Sequence, residues 1–215
     1  TKLLSVVTSD KTRTEGHRNR LKFIEKLQEH FGDKIDVFGP GLGLYGSEKD
    51  KLKFKYHENK WEALAPYRYH IAVENSVCPD YWTEKISEVF LSESYPFYFG
   101  CPNIFDYFSK DSLTLINILD PEEAISMIEK KIKENVYEKS LEEIKKTKNL
   151  ILDKYQLFPM LTEFFDRRKL DTKIILKTLH PEIYFQNTLS ARAIRKTKSL
   201  IKSILIPKKD VPAAP

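Results

Sequence analysis

The sequence predicts an α/β fold, in which a mainly parallel, Rossmann-like sheet carries helices on both faces. Short apolar runs that suit buried strands alternate along the chain with segments whose apolar residues recur every three or four positions. The chain has 215 residues, of which 41% are hydrophobic and 31% charged, so it can bury a sizeable core. In a sheet of this kind, ligands bind beyond the carboxyl ends of the strands.

The first strand and the first helix form one βα unit. Leu3–Val7 is an apolar run bounded by polar residues, which is typical of a strand buried on both faces. From Arg20 onward, apolar residues recur at helical spacing as far as Phe31, and Gly32 ends the pattern. Ile35–Phe38 is then predicted to be the second strand.

A loop, a short helix and a third strand are predicted next. Residues 40–56 are rich in Gly and Lys without a clear period, so we expect a loop there. Its glycines favour a flexible turn over a phosphate-binding loop, because no helix follows them. Trp61–Leu64 predicts a short helix, and Tyr69–Val73 predicts a strand that ends at the polar residues 74–76.

The next elements continue the alternation of helices and strands. After Asp80, the apolar spacing predicts a helix whose first turn holds Tyr81 to Lys85. Phe97–Phe99 and Ser112–Ile116 predict strands, and the acid-rich start at residues 120–123 predicts another helix. Residues 138–170 are predicted to be helical and charged.

Positive charge is concentrated near the carboxyl end of the chain. The net charge is +5, and seven basic residues but no acidic one lie between Arg192 and Lys209. Spaced Ile and Leu residues within 190–206 predict an interfacial helix that binds an anionic membrane surface, and a helix packed on its own domain is the alternative. No nucleic-acid motif accompanies the charge, so we expect no nucleic-acid partner.

The cysteines and histidines predict no metal site. Cys78 and Cys101 are too few for a disulfide framework and lack zinc-site spacing, so we expect free thiols in a reducing compartment. His17 and His70 have no metal-ligand partners at useful spacing, and His70 is expected in the core. No stretch approaches the ~20 apolar residues of a membrane span. We therefore expect a cytoplasmic chain, with peripheral membrane contact through 190–206 as an open possibility.

Polar and charged residues cluster where a predicted strand ends and the next helix starts. A helix N-terminus offers unpaired N–H groups, and Lys85 in its first turn adds a positive charge, which suits a pyrophosphate. Glu84 could accept hydrogen bonds from ribose hydroxyls, and Tyr81 offers a flat face. From composition alone, however, Glu84 and Lys85 are better explained as ordinary solvated helix residues.

The order and spacing of several motifs indicate more than a solvated helix. They are Glu74-Asn75-Ser76, Asp80-Tyr81-Trp82-Thr83-Glu84-Lys85 and Pro96-Phe97-Tyr98-Phe99-Gly100-Cys101-Pro102, preceded by Arg20 with Phe23 and Leu27. Together they resemble the signature of the family 10 glycosyltransferases, the α-1,3/α-1,4-fucosyltransferases, over about residues 3 to 132. Arg68 and Trp82 depart from that family's pattern, where a lysine and a small aliphatic residue are usual.

The resemblance implies an inverting transferase that moves fucose from GDP-fucose to a hydroxyl of a glycan acceptor, without an obligatory metal or cofactor. It also implies a donor site made of Arg20, Glu74, Asn75, Tyr81, Glu84 and Lys85. Within that site, Arg20 and Lys85 would contact the diphosphate and stabilise charge on the leaving GDP. Glu84 would hold the ribose and Tyr81 the nucleotide, while the other two would shape the floor near the transferred sugar.

The family also implies a division of labour between two halves of a GT-B fold. Its acceptor domain and general base precede the donor-binding half, so we expect both to be missing from this chain. We divide the chain into a donor-binding α/β domain (1–137), a helical extension (138–170) and a basic tail (171–215). The alternatives are a transferase for another GDP-sugar, or a non-catalytic nucleotide-sugar-binding or membrane-peripheral interaction module.

Overall fold

The computed structural model describes residues 1–39, 52, 54–55 and 58–167, which contain one six-stranded sheet. Its strands are β1 (Lys2–Val7), β2 (Ile35–Phe38), β3 (Phe54–Lys55), β4 (Tyr67–Val73), β5 (Tyr95–Phe99) and β6 (Thr114–Leu115). Every pairing between neighbours is parallel, and the strand order is β3-β2-β1-β4-β5-β6. This is the doubly wound, Rossmann-like order, which confirms the fold class.

Helices connect and flank these strands. They are α1 (Glu15–Phe31), α2 (Glu84–Leu91), α3 (Pro121–Lys133), α4 (Val136–Leu150) and α5 (Leu157–Arg167), with a π-helical turn at Ile151–Tyr155. Crossovers between parallel strands are right-handed. The crossover through α1 leads from β1 to β2, and the crossover through α2 leads from β4 to β5 in the opposite direction across the sheet. The two helices therefore lie on opposite faces, where α1 packs beside α3 and α2 beside α4.

The strand order reverses between β1 and β4, and this reversal creates the crevice that matters for function. The chain leaves β1 towards β2 on one side and leaves β4 towards β5 on the other. The loops after β1 and β4 therefore diverge, and a crevice opens between the carboxyl ends of these two strands. Thr8 and Ser9 follow β1 at this edge, and Glu74 and Asn75 follow β4.

Aromatic residues of the central strands anchor the core. Tyr69 stacks on Phe97 with ring centroids 5.6 Å apart and meets Tyr137 of α4 edge to face at 6.0 Å. Ile144 and Ile151 belong to the same core cluster, so α4 and the π turn are packed on the sheet. Residues 1–167 form one compact unit. The predicted basic tail, including 190–206, lies outside the described residues.

Side-chain capping moves two helix starts away from their predicted positions. Thr14 forms a capping box with His17, so α1 begins at Glu15 and Arg20 lies in its second turn rather than at its start. Thr83 caps α2 by accepting a hydrogen bond from the Lys85 N–H. Tyr81 and the residue after it therefore precede α2, and the prediction that they lie on its first turn was wrong.

Smaller differences concern the edges of the sheet. The predicted loop at 40–56 contains β3, which pairs with β2 through Val37 and Phe38. The predicted strand Ser112–Ile116 shrinks to two residues, because only these complete the ladder with β5. The short helix near Trp61 is a 3₁₀ turn at Lys60–Ala63. No helix of the described ranges is both long and apolar enough to cross a bilayer.

Candidate functional site

Glu74, at the end of β4, is hydrogen-bonded to the start of α2. Its carboxylate is buried and accepts hydrogen bonds from the N–H and the hydroxyl of Thr83, each at 2.9 Å. The Lys85 ammonium lies 3.2 Å from the same carboxylate. A buried charge is tolerated only when it is paired and hydrogen-bonded, so Glu74 fixes both the helix start and the lysine beside it.

Lys85 is a cation held between two acids. Besides Glu74, it contacts the Glu84 carboxylate at 3.2 Å and the Thr83 hydroxyl at 3.0 Å. Burial acts to lower the pKa of Lys85, but the two carboxylates outweigh it and hold the pKa above its usual value. The ammonium is therefore charged at neutral pH, and 24% of the side chain remains exposed.

Arg20 joins the loop after β1 to the loop after β4. Its guanidinium donates to the Asn75 side-chain oxygen at 2.5 Å and to the carbonyl and hydroxyl oxygens of Ser9 at 3.3 and 3.2 Å. Only 5% of Arg20 is exposed, and its Nε has no hydrogen-bond partner among the residues the structure describes. Burial lowers the pKa of Arg20, yet a guanidinium stays protonated at any physiological pH.

The first turn of α1 touches the backbone after β4. A Cβ at Gly16 would overlap the carbonyl oxygen of Asn75, closer than any real side chain approaches. Glycine is therefore required at this position for the helix to reach the loop. This close packing brings Arg20, one turn later on α1, within reach of the Asn75 side chain.

A cleft of about 470 Å³ opens at this edge of the sheet, a size that falls among small-molecule sites. Four of the six predicted site residues line it, namely Arg20, Asn75, Glu84 and Lys85. Glu74 is not among the described residues that line the cleft, but it binds Thr83 and Lys85 and so holds Lys85 in the cleft wall. Tyr81 is 41% exposed and is not part of the cleft lining that the described residues form.

Sequence reasoning missed several residues that share the cleft. Ser9, Lys11 and His17 lie on its wall near Arg20, and Lys60 and Glu88 also line it. Burial and the nearby cations lower the pKa of His17, so this imidazole is neutral at neutral pH. Only Glu88 left a signal in the sequence, because it follows Glu84 by four residues and so shares a helix face with it.

Tyr81 and Trp82 belong to the segment that leads into α2. The preceding Asp80 has φ of +60°, and its carboxylate accepts hydrogen bonds from Asn103 at 2.7 Å and from Tyr107 at 2.6 Å. Trp82 packs edge to face against Tyr107 and against the rings of Phe108 and Tyr155. This aromatic cluster accommodates the tryptophan that departs from the family pattern.

The remaining histidine and cysteine predictions concern the core and the metal chemistry. His70 is buried against Ser5, with 2.8 Å between its Nδ1 and the hydroxyl, which confirms it as a core residue. Burial lowers the pKa of His70 to about 3, so the ring is neutral. Cys78 is exposed, Cys101 is buried, and both are free thiols. Within the described part of the chain, no group of three or more potential ligands could hold a metal ion.

Comparison with known protein families gives a match over most of the chain. Residues 1–146 match the family model described as glycosyltransferase family 10 (fucosyltransferase), C-terminal part. The matched range contains every residue of the cleft wall discussed above.

Curated relatives with similar sequences have names in the same class. An α-(1,3)-fucosyltransferase B from Drosophila melanogaster is 36% identical over 92 residues, which is 41% of this chain and 20% of the relative. A GDP-fucose protein O-fucosyltransferase 3 from Danio rerio is 32% identical over 124 residues, which is 56% of this chain and 26% of the relative. The chain therefore matches only about a fifth to a quarter of each relative.

A solved structure shares the fold. A crystal structure of an α1,3-fucosyltransferase with GDP superposes with a TM-score of 0.50 and 24% sequence identity. The match covers 65% of this chain and 38% of that structure. At this identity the likeness speaks for the fold alone.

Proposed function

The chain belongs to glycosyltransferase family 10, and on that premise we propose that it binds GDP-fucose as the donor half of a fucosyltransferase. The acceptor in this proposal is a hydroxyl group of a glycan. The premise makes the protein a transferase, and the donor is inferred from relatives that are named fucosyltransferases. The glycan acceptor is inferred from the resemblance to the α-1,3/α-1,4-fucosyltransferases, whereas the Danio rerio relative is named for a protein acceptor.

The single observation that carries the proposal is the pair of cations in the cleft. Arg20 and Lys85 both line it, and each is held by a polar group of the β4–α2 segment. The buried Nε of Arg20 still lacks an acceptor among the described residues. Two fixed cations beside the first turn of α2 suit a diphosphate, because the positive end of the helix dipole adds to their charge.

The same geometry would serve the chemical step. When the sugar–phosphate bond breaks, negative charge develops on the departing GDP. Arg20 and Lys85 are already oriented by Asn75 and Glu74, so they can stabilise that charge without costly rearrangement. The inverting step itself needs a carboxylate that deprotonates the acceptor hydroxyl, and we assign that base to the acceptor half of the enzyme.

Glu84 is placed for the ribose in this proposal. It lies in the first turn of α2 beside Lys85, lines the cleft, and its side chain is 57% exposed. A carboxylate there can accept hydrogen bonds from two neighbouring ribose hydroxyls while Lys85 contacts the phosphates. Tyr81 remains a proposed nucleotide contact on the strength of the family resemblance.

Titration calorimetry with GDP and UDP tests this function. We expect GDP to bind more tightly than UDP, and Lys85→Ala to weaken GDP binding by roughly ten- to a hundredfold through the loss of a charged hydrogen bond. Lys22→Ala is the matched control, because Lys22 is exposed on α1 and does not line the cleft. Equal affinity for GDP and UDP, or an unchanged GDP affinity in Lys85→Ala, would contradict the proposal.

A further inference from the structure

A second pair of charged residues lines the same cleft. Lys60, from the 3₁₀ turn before β4, forms an ion pair with Glu88 of α2. Glu88 follows Glu84 by four residues, so it lies on the same helix face about 6 Å further along the axis. The cleft therefore continues from the proposed ribose contact to this pair.

The surroundings of the pair differ from those of a solvated surface ion pair. Glu88 Oε2 is buried, and the Lys60 ammonium contacts this same oxygen without the alignment of a hydrogen bond. Leu64 and Ile71 also line the cleft and give it an apolar part. An ion pair between side chains that are about one-third exposed adds little to stability, so stability alone gives a weak reason for this arrangement.

In the proposed function, Arg20 and Lys85 hold the diphosphate and Glu84 holds the ribose. Glu88 lies one helical turn beyond Glu84 and lines the same cleft. The base, which projects from the far side of the ribose, would then reach Glu88 and its partner. The apolar side chains that line the cleft would contact the faces of a planar ring.

Guanine is the base whose edge fits a lysine–glutamate pair. It presents one acceptor, O6, next to two donors, the N1–H and the 2-amino group. An ammonium can donate to the acceptor, and a carboxylate can accept from both donors. Adenine presents a donor at its 6-position and has no 2-amino group, and the pyrimidines are too short to reach the pair from the same ribose position.

We propose that Lys60 and Glu88 read the guanine base of the donor, with Lys60 donating to O6 and Glu88 accepting from N1–H and the 2-amino group. The proposal rests on the proposed donor function and adds to it the residues that select the base. A site built to hydrogen-bond a ligand group rejects analogues without that group, because its own polar atoms are then left unpaired.

The test changes an acceptor of the protein into a donor and the matching donor of the ligand into an acceptor. Xanthosine diphosphate differs from GDP at the 2-position, where a carbonyl oxygen replaces the amino group. The Glu88 carboxylate repels that oxygen, whereas the amide of Glu88→Gln can donate to it. We expect Glu88→Gln to lower GDP affinity by roughly ten- to a hundredfold and to raise xanthosine diphosphate affinity above that of the unchanged chain.

Two further variants separate base reading from general damage. Glu62→Gln removes the same charge from an exposed residue of the neighbouring 3₁₀ turn and should change neither affinity. Lys60→Met should weaken GDP and xanthosine diphosphate alike, because both bases carry O6. The ratio of the two affinities would then stay constant while both fall. Tighter binding of a new ligand cannot result from partial unfolding, so the Glu88 result does not depend on variant stability.

The outcomes of these titrations distinguish the assignment of Lys60 and Glu88 from the proposed donor function on which it rests. If the unchanged chain binds GDP and UDP equally, both the donor function and the base assignment are overturned. If GDP is preferred over UDP but Glu88→Gln leaves the ratio of GDP to xanthosine diphosphate affinity unchanged, only the assignment of Lys60 and Glu88 is overturned. A preference that shifts towards xanthosine diphosphate supports both.

Discussion

At the scale of single residues, Lys85 shows that a side chain which we propose as a ligand contact also has a structural role. A cation in the first helical turn opposes the helix dipole, so helix stability alone does not explain it. The structure adds the buried carboxylate of Glu74, which Lys85 neutralises. Lys85→Ala leaves that charge poorly paired, and its unfolding temperature should therefore be compared with that of Lys22→Ala before its GDP affinity is interpreted.

Glu84 has two opposing relations to a bound nucleotide. Its carboxylate contacts Lys85 at 3.2 Å, which places a negative charge where the phosphate oxygens of the proposed complex would come. In the proposed complex it would turn to the ribose and release the lysine to the diphosphate. Removing the charge therefore has different consequences for ligands with and without a ribose.

Glu84→Gln should weaken GDP binding but leave pyrophosphate binding unchanged or slightly tighter. The ribose hydrogen bonds lose their charged acceptor, worth roughly 1.5–3 kcal/mol, whereas pyrophosphate loses only a competing carboxylate. Calorimetric titration of each ligand into Glu84→Gln gives the comparison, with Glu62→Gln as the control. Equal losses for the two ligands would remove Glu84 from the ribose role.

Residue by residue, the sequence predicted Arg20 through the family resemblance and otherwise the part of the site that lies on one segment. Asn75, Glu84 and Lys85 follow one another along the chain, so their joint presence could be read from a motif and from the properties of a helix start. Lys60 and Ser9 come to the cleft from distant elements, and only the strand order brings them there. No local sequence pattern indicates that residues of distant elements lie in one cleft.

At the scale of elements, capping interactions decide where the two helices at the cleft begin. The box at the start of α1 uses His17 in place of the usual Glu or Gln, and its ring nitrogen accepts from the Thr14 backbone N–H at 3.3 Å. Because apolar spacing alone marks only the buried part of a helix, the sequence placed the start of α1 too late. The polar first turn, which faces the cleft, carries no such periodicity.

Gly16→Ala should destabilise the chain, although alanine usually stabilises a helix relative to glycine by up to about 1 kcal/mol. The added methyl group would collide with the Asn75 carbonyl oxygen and push α1 away from the β4–α2 loop. Overpacking of this kind costs about 1–3 kcal/mol, and the shift should also weaken GDP binding by separating Arg20 from Asn75.

Denaturant unfolding and GDP titration of Gly16→Ala measure both effects. Lys22→Ala is again the control, since it is exposed on the same helix and raises helix propensity slightly. A Gly16→Ala variant that is more stable than the unchanged chain and binds GDP normally would show that the close approach of α1 to Asn75 does not shape the site.

At the scale of the whole molecule, the doubly wound order explains why the charges converge. The sequence predicted alternation of strands and helices, and hence a parallel sheet, because apolar periodicity is a local property. It did not predict which strands are neighbours, since strand order depends on contacts between distant segments. The order places β1 beside β4, so Arg20 of α1 and Lys85 of α2 reach one cleft although their helices lie on opposite faces.

The proposed donor cleft, at the reversal of strand order between β1 and β4, is the central claim, and a crystal structure of the chain grown with GDP tests it most directly. We predict density for the diphosphate between Arg20 and Lys85, with the ribose at Glu84 and the base towards Lys60 and Glu88. An empty cleft at saturating GDP, or a nucleotide bound on another surface with these side chains unmoved, would contradict the account.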